Sequence, residues 1–365
     1  MKIYHCIGLM SGSSLDGLDL AYCRFEFDNQ QITNWELLAA ETLPYSEMWV
    51  ERLKHLPSQS GLILHKSHIY YAEYTQELLD IFIKKYQIKT VDFISWHGHT
   101  VFHSPQLGYS LQLGSGAVLA SKSGIDVITD FRQQDISAGG QGAPLAPFVD
   151  KVLWNDCNFC LNIGGIANLS ANLGEKYIGF DVCYANQILN RLAQELGFLY
   201  DNSGNLARQG KIDENLLAEL KNLPFFGKKY PKSMSNEEVL GIYWPVFEQA
   251  RLEIADKLAT ATAHIGYEIG KACQKIISIE KLNSEKMRML ATGGGVFNSF
   301  LMEHINQNLP KELMLSVPDE QIIKFKEAVL MAVLGLYRLE NIPNTLTSVT
   351  GARRTSIAGA VYVGR

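Results

Sequence analysis

The sequence predicts an α/β protein built as two lobes, and three observations carry that expectation. At 365 residues the chain exceeds the usual reach of one hydrophobic core. Two successive cycles of strand and helix patterning run along it. Glycine-rich turns near residues 8–19, 162–170 and 291–298 each close a β-rich segment, and they are spread over both halves.

Taken in order, Ile3 to Leu9 and Leu18 to Phe25 read as strands joined by the turn Met10 to Gly17, so the chain opens with a hairpin. Residues 68–87 set Ile69, Ala72, Leu78, Leu79, Phe82 and Ile83 at helical spacing. An apolar strand from Val91 to Trp96 ends at His97-Gly98, and Gly124 to Asp130 is another strand with a polar exit. Such exits suit α/β folds, whose ligands sit beyond the carboxyl ends of strands. The Gly-rich connector 133–144 comes next, and the lobe boundary falls just before it. Residues 1–131 form the N-terminal lobe, with the extreme C-terminus as a candidate addition, and 132–365 form the C-terminal lobe. A second cycle follows: a strand over 158–163, a strand over 177–180 ending at Asp181, and a helix over 184–196. A partly polar stretch (201–235) leads to a helical pattern from about 236 to 279, a strand at 287–291 and a last helix over 324–340.

Composition removes several classes of function. Apolar residues at 47% and charged residues at 19% mark a globular enzyme, not a disordered chain. A net charge of -5 with no basic stripe argues against nucleic acid as a partner. No apolar run is long enough to span a bilayer, and the first residues read as a strand and its turn, not a signal peptide. The six cysteines are scattered without a framework, which fits a reducing cytoplasm. Cys157 and Cys160 have the C-x-x-C form, but no second pair follows at zinc spacing, so they read as the start of a buried strand.

Gly8-Leu9-Met10-Ser11-Gly12-Ser13-Ser14-Leu15-Asp16-Gly17-Leu18-Asp19 is the first motif with chemical content. Glycines and small hydroxyl residues let backbone N–H groups approach an anion, and Asp16 and Asp19 are oxygen ligands suited to Mg²⁺. It is not a P-loop, because Leu18-Asp19 stands where Lys-Ser or Lys-Thr is required. A plain hairpin turn is the alternative reading. Asn162 to Ser170, with Gly164 and Gly165, is a second turn of this kind. Thr292-Gly293-Gly294-Gly295 leads through Asn298 into a helix, whose dipole favours a phosphate. Asp181 is a candidate general base or, equally, a helix N-cap. His97, His99, Thr100 and His103 at a strand end suit sugar hydroxyls. Asp130, Arg132, Asp135 and Gln141 suit a polyhydroxy or carboxylated ligand, with a salt bridge as the structural alternative.

These segments resemble one family in sequence order: GLMSGSSLDGLD, SWHGHTVFH, DFRQQDISAGGQGAPLAP, NIGGIANLS, GFD, PKS at 231–233, ATGGGVFN and FKEAVLMA. The chain is similar to the anhydro-N-acetylmuramic acid kinases of the actin/hexokinase/Hsp70-like superfamily. The resemblance implies two ribonuclease H-like lobes with an interlobe ATP cleft and a Mg²⁺-dependent reaction. In that reaction water opens a 1,6-anhydro bridge and the freed O6 is phosphorylated, giving N-acetylmuramate 6-phosphate. Carried over, Gly12 to Asp19, Gly164, Gly165, Gly293 to Gly295 and Asn298 would serve ATP, and Asp181 would activate water. His97, Thr100, Arg132, Gln141 and Glu327 would lie near the sugar, with Asp16 and Asp19 near the metal. The family's Thr-Gly-Pro-(Gly or Ala)-Asn after the Asp is here Val182-Cys183-Tyr184-Ala185-Asn186. Two rival readings follow from that change: a kinase for another sugar or anhydrosugar, or an ATP-binding homologue with impaired catalysis. A homodimer is left open.

Overall fold

A computed structural model describes residues 1–365 except Ser13, Glu175, Pro231, residues 283–285 and Arg365. The chain divides into two compact units, Met1–Leu153 with Glu320–Arg365, and Trp154–Asp319.

The first unit is built on strands β1 (Lys2–Ser11), β2 (Gly17–Asp28), β3 (Gln31–Pro44), β4 (Phe93–Ser104), β5 (Tyr109–Leu113) and β6 (Asp126–Thr129). The order across the sheet is β3-β2-β1-β4-β6, closed at one edge by the strand Ala360–Tyr362, while β5 pairs with β4. β1, β2 and β3 form an antiparallel meander, and β4 and β6 add in parallel. Helices cover both faces, so the inner strands are apolar on both sides. Ile7, Leu9, Leu18, Leu20, Ile94 and Trp96 are fully buried and pack with Tyr71, Leu79 and Phe82 of the helix Gly61–Lys85. On the β1 side the helix Glu320–Leu339 comes so close that a Cβ on Gly8 would lie 1.8 Å from the Ala328 carbonyl oxygen. Glycine is required there by contact alone.

The second unit repeats the plan with β7 (Phe159–Ile163), β8 (Ile166–Asn172), β9 (Tyr177–Tyr184), β10 (Met287–Thr292) and β11 (Leu313–Ser316). Its order is β11-β10-β7-β8-β9, again a three-stranded antiparallel meander followed by two parallel additions. Both sheets therefore have the ribonuclease H-like strand order, as the resemblance implied. The helices Asn186–Gln194 and Ile254–Ile279 pack together in this unit, and Ile254–Ile279 also lies against β9.

Three expectations change. The division between units lies at 153/154, not 131/132, and the first unit takes back everything from Glu320. Polar ties within the first unit explain this: buried Asp135 accepts from Thr350 Oγ1 at 2.9 Å, and Lys326 pairs with Asp150 at 2.7 Å where both side chains are nearly buried. The strand expected to stop at 180 runs on to Tyr184, because Val182, Cys183 and Tyr184 are all apolar enough to be buried. The long helical pattern from 236 is interrupted, and the continuous helix starts only at Ile254.

Candidate active site

In the first unit the hairpin closes through residues 12–16. Buried hydroxyls support it from below. Tyr45 donates to Ser11 Oγ at 2.7 Å, the Tyr45 and Tyr71 hydroxyls meet at 2.6 Å, and Ser11 Oγ reaches His99 Nδ1 at 3.0 Å. A satisfied polar network of this kind rigidifies what it carries. Gly12 faces open space, for a Cβ there would find nothing nearer than Ser14 Oγ at 3.4 Å. The backbone there can be approached closely on its Cα side. Ser14 donates to Asp16 Oδ1 at 2.6 Å, and Leu15 sits at φ 59°, a left-handed conformation that non-glycine residues seldom adopt. Ser13 lies outside the described residues.

Gly17 and Leu18 are explained by packing instead. A Cβ on Gly17 would lie 2.4 Å from the Leu43 carbonyl, and the Leu18 side chain is wholly in the core. Asp19 is half-buried on β2 and accepts from Thr42 Oγ1 at 2.5 Å. Burial pushes its carboxyl up to about 6; the Thr42 bond opposes this, while Asp16 and Glu327 add to the rise.

β4 carries the histidines. Arg132 Nε donates to His97 Nε2 at 3.0 Å, which leaves the His97 proton on Nδ1, donated to the Gly98 carbonyl at 2.9 Å. Burial, then the nearby Arg132 charge, takes the His97 pKa down to about 3. Both ring nitrogens are occupied, so His97 holds Arg132. Arg132 Nη1 donates to the Gly142 carbonyl at 2.8 Å, while Nη2 donates to no acceptor among the described residues. Glu327 is accessible at its surface yet set deep among protein atoms, which raises its pKa against the pull of Arg132 and Lys326. Thr100 and Gln141 are exposed. Thr100 Oγ1 accepts from Gln112 at 3.3 Å. Asp135 is fully buried and ties the glycine run to Thr350 through Gly142 N at 2.8 Å, so it is scaffold and not a ligand contact.

In the second unit Asp181 lies within β9, where the β8 pairing skips Val182: Ala167 faces Cys183 and Asn168 faces Asp181. Such a bulge re-aims the side chain beside it. Three donors fix the carboxylate. Asn168 Nδ2 bonds Oδ1, while Ser233 Oγ at 3.2 Å and the Met234 amide at 2.8 Å bond Oδ2. Asn162 Nδ2 in turn donates to Asn168 Oδ1 at 3.3 Å. Asp181 is thus not an N-cap; the following helix starts after Ala185.

The glycine turns of this unit divide by role. The carbonyls of Gly164 and Gly165 accept from the amides of Asn186, Ala185 and Gln187, so this turn docks the start of a helix. A Cβ on Gly293 would lie 2.7 Å from the Ile163 carbonyl and one on Gly295 2.2 Å from Ile163 Cγ2, whereas Gly294 meets nothing nearer than 3.9 Å. The run turns into a short 3₁₀ segment, Gly294–Phe297, before the helix Ser299–Asn308. Asn298, expected to serve ATP, caps that helix by accepting from Leu301 N at 2.9 Å.

The family model described as anhydro-N-acetylmuramic acid kinase matches residues 4–364, nearly the whole chain. The chain belongs to the anhydro-N-acetylmuramic acid kinase family. A relative of that name from Haemophilus influenzae is 33% identical over 390 residues, covering 99% of this chain and 98% of its own. Another from Synechococcus elongatus is 33% identical, covering 98% of both. Among solved structures, the activator of 2-hydroxyisocaproyl-CoA dehydratase from Clostridium difficile, with bound ADPNP, is similar at 14% identity and a TM-score of 0.41. That likeness covers 92% of this chain and 97% of the activator's.

Against the usual anhydro-N-acetylmuramic acid kinase pattern, the change at 182–184 falls in the core. Tyr184 is fully buried, its hydroxyl 2.9 Å from His264 Nδ1, stacked on that ring and packed against Tyr243 and Phe247. It makes no contact with the Asp181 carboxylate among the described interactions, so the rival reading of impaired catalysis loses its motive. Sequence reasoning missed Asn168, Ser233 and the Ser11–His99 pair as functional supports. A signal existed for Asn168: it and Asn162 flank the turn between two largely apolar strands, and polar amides in such company need a partner.

Proposed function

We propose that this chain is an ATP-dependent kinase that opens the 1,6-anhydro bridge of anhydro-N-acetylmuramic acid and phosphorylates O6. Membership of the family along residues 4–364 carries the reading. What supports Asp181 as the base is its three-donor seat, which fixes the direction of the carboxylate.

The step balances as follows. Asp181 takes a proton from water while the water oxygen bonds to C1. The C1–O6 bond breaks with its electron pair on O6, O6 bonds the γ-phosphorus, and the bond to the ADP oxygen breaks. The products are the 6-phosphate, ADP and one proton, which Asp181 returns to solvent. The turns at Gly12 and at Gly294, where an added Cβ would meet nothing nearer than 3.4 and 3.9 Å, each leave room for an ATP phosphate to approach the backbone. The uncommitted edge of Arg132 suits a carboxylate on the sugar, and Thr100, Gln141 and Glu327 suit its hydroxyls.

Asp16 and Asp19 fit a Mg²⁺ ion as hard oxygen ligands. Among the described residues no group of three or more His, Cys, Asp and Glu side chains could hold a metal. When bound, Mg²⁺ would neutralise phosphate charge. Among the described residues no helix is long and apolar enough to cross a membrane. The six cysteines are buried and scattered along the chain without a framework, which supports a reducing cytoplasm as the place of action.

Turnover in ¹⁸O-labelled water tests the reading by mass spectrometry of the sugar phosphate. The label is expected at C1, and label-free product would sink the hydrolytic step. Asp181→Asn is expected to lower kcat by on the order of 10²–10⁴-fold with ATP binding kept.

A further inference from the structure

On the face of β9 opposite Asp181, the second unit has a cleft that the reaction above does not use. Its floor is Tyr230, half-buried and stacked on Phe180 at 5.3 Å between ring centroids and 17° between planes, with Phe180, Val182 and Phe226 buried beneath. Its lips are cationic. Lys228 and Lys232 come from one side, and Lys271 and Lys275 come from the helix Ile254–Ile279, one turn apart on the same face. One carboxylate answers them: Glu268 pairs with Lys271 at 3.2 Å. Lys228 and Lys275 make no ion pair among the described residues. This concentration of charge sits in a protein whose net charge is -5. Burial lowers the Lys232 pKa, opposed by Glu268, while Lys271 and Lys275 add repulsion; Lys232 Nζ also donates to the Phe225 carbonyl at 3.3 Å.

We propose that this cleft binds a small ring-bearing phosphate monoester, its phosphate between the lysines and its ring on Tyr230. Nucleic acid fits less well, because the lysines surround one pocket and form no stripe. The lip that bears Lys232 is also the segment that seats the base. The Lys232 carbonyl accepts from the Asp181 amide at 3.0 Å, and the next two residues bond its carboxylate. An occupant therefore orders residues 232–234 from behind. The binding claim stands apart from the kinase reading; only its consequence for Asp181 rests on it.

Calorimetry with inorganic phosphate, glucose 6-phosphate and AMP tests this, with a nonhydrolysable ATP analogue saturating the nucleotide site. The two organic phosphates are expected to differ from each other and the better one to bind at least about threefold tighter than inorganic phosphate. Preference for AMP identifies a nucleotide and preference for glucose 6-phosphate a sugar phosphate. Lys271→Gln/Lys275→Gln is expected to weaken binding by about tenfold or more, and Lys228→Gln on the opposite lip serves if that variant melts early. Hydrogen exchange at the 232–234 amides is expected to slow on addition of the ligand in the wild type and not in the variant. Unchanged affinity in both variants, equal affinity for all three probes, or no binding at roughly 10 mM overturns the assignment.

Discussion

At the scale of single residues, the candidate site is a set of side chains held by others. Asp181 has three donors, and Asn168 is the one supplied by a side chain on the neighbouring strand. Asn168→Ala is expected to lower kcat by about 10–100-fold through loss of orientation, with KM for ATP unchanged, as steady-state kinetics would read. An equal loss in ATP binding would instead mean a collapsed turn. His97 and His264 are buried and their pKa values fall to about 3, first through burial. Unfolded, each titrates near 6.5, so between about 6.5 and 3 the unfolded chain binds more protons than the folded one. Stability from these groups is complete above that window and drains as pH falls through it. Chemical denaturation across pH should show the decline, and His97→Gln should flatten part of it. Roles such as that of His97 were not legible in sequence. A histidine beside a strand end reads as a ligand contact, and only the position of Arg132 reveals that both ring nitrogens are taken.

Elements set which glycines matter. Gly8 lies on β1 beneath the 320–339 helix, and nothing in the string of residues 8–19 separates it from Gly12. Contact does. Gly8→Ala drives a methyl into a helix carbonyl and is expected to cost at least about 3 kcal/mol, measured by denaturant unfolding, whereas Gly12→Ala should leave stability nearly intact and act on nucleotide affinity. The same distinction sorts Gly293 and Gly295, pressed on Ile163, from the open Gly294. Periodicity revealed the strands β1, β2, β7 and β10 and the terminal helix well, since burial on one or both faces writes itself into the sequence. It failed at β9. A bulge at Val182 and a polar Asp181 inside the strand interrupt the alternation that would have announced residues 181–184 as β.

For the whole molecule, the two sheets share one strand order, but the chain visits them unequally. The first unit is interrupted at Leu153 and resumed at Glu320, with the second unit inserted between. The sequence suggested two cycles and placed their border too early, because the return of residues 320–365 depends on contacts with distant partners such as Asp135–Thr350 and Asp150–Lys326. Truncation after Asp319 removes the helix that covers Gly8 and Ser95, whose hydroxyl bonds the Met331 carbonyl. Such a chain is expected to lose cooperative melting of the first unit by calorimetry while the second unit still melts cooperatively. Nested connectivity also bears on how the protein is made. A ribosome emits residues 1–153 first, yet their sheet stays uncovered on one side until the final helix emerges. The middle segment, complete once residue 319 has cleared the exit tunnel, is free to fold earlier. Birth order and maturation order are therefore reversed, and the half-made N-terminal sheet is the stage at which a nascent chain most needs a chaperone.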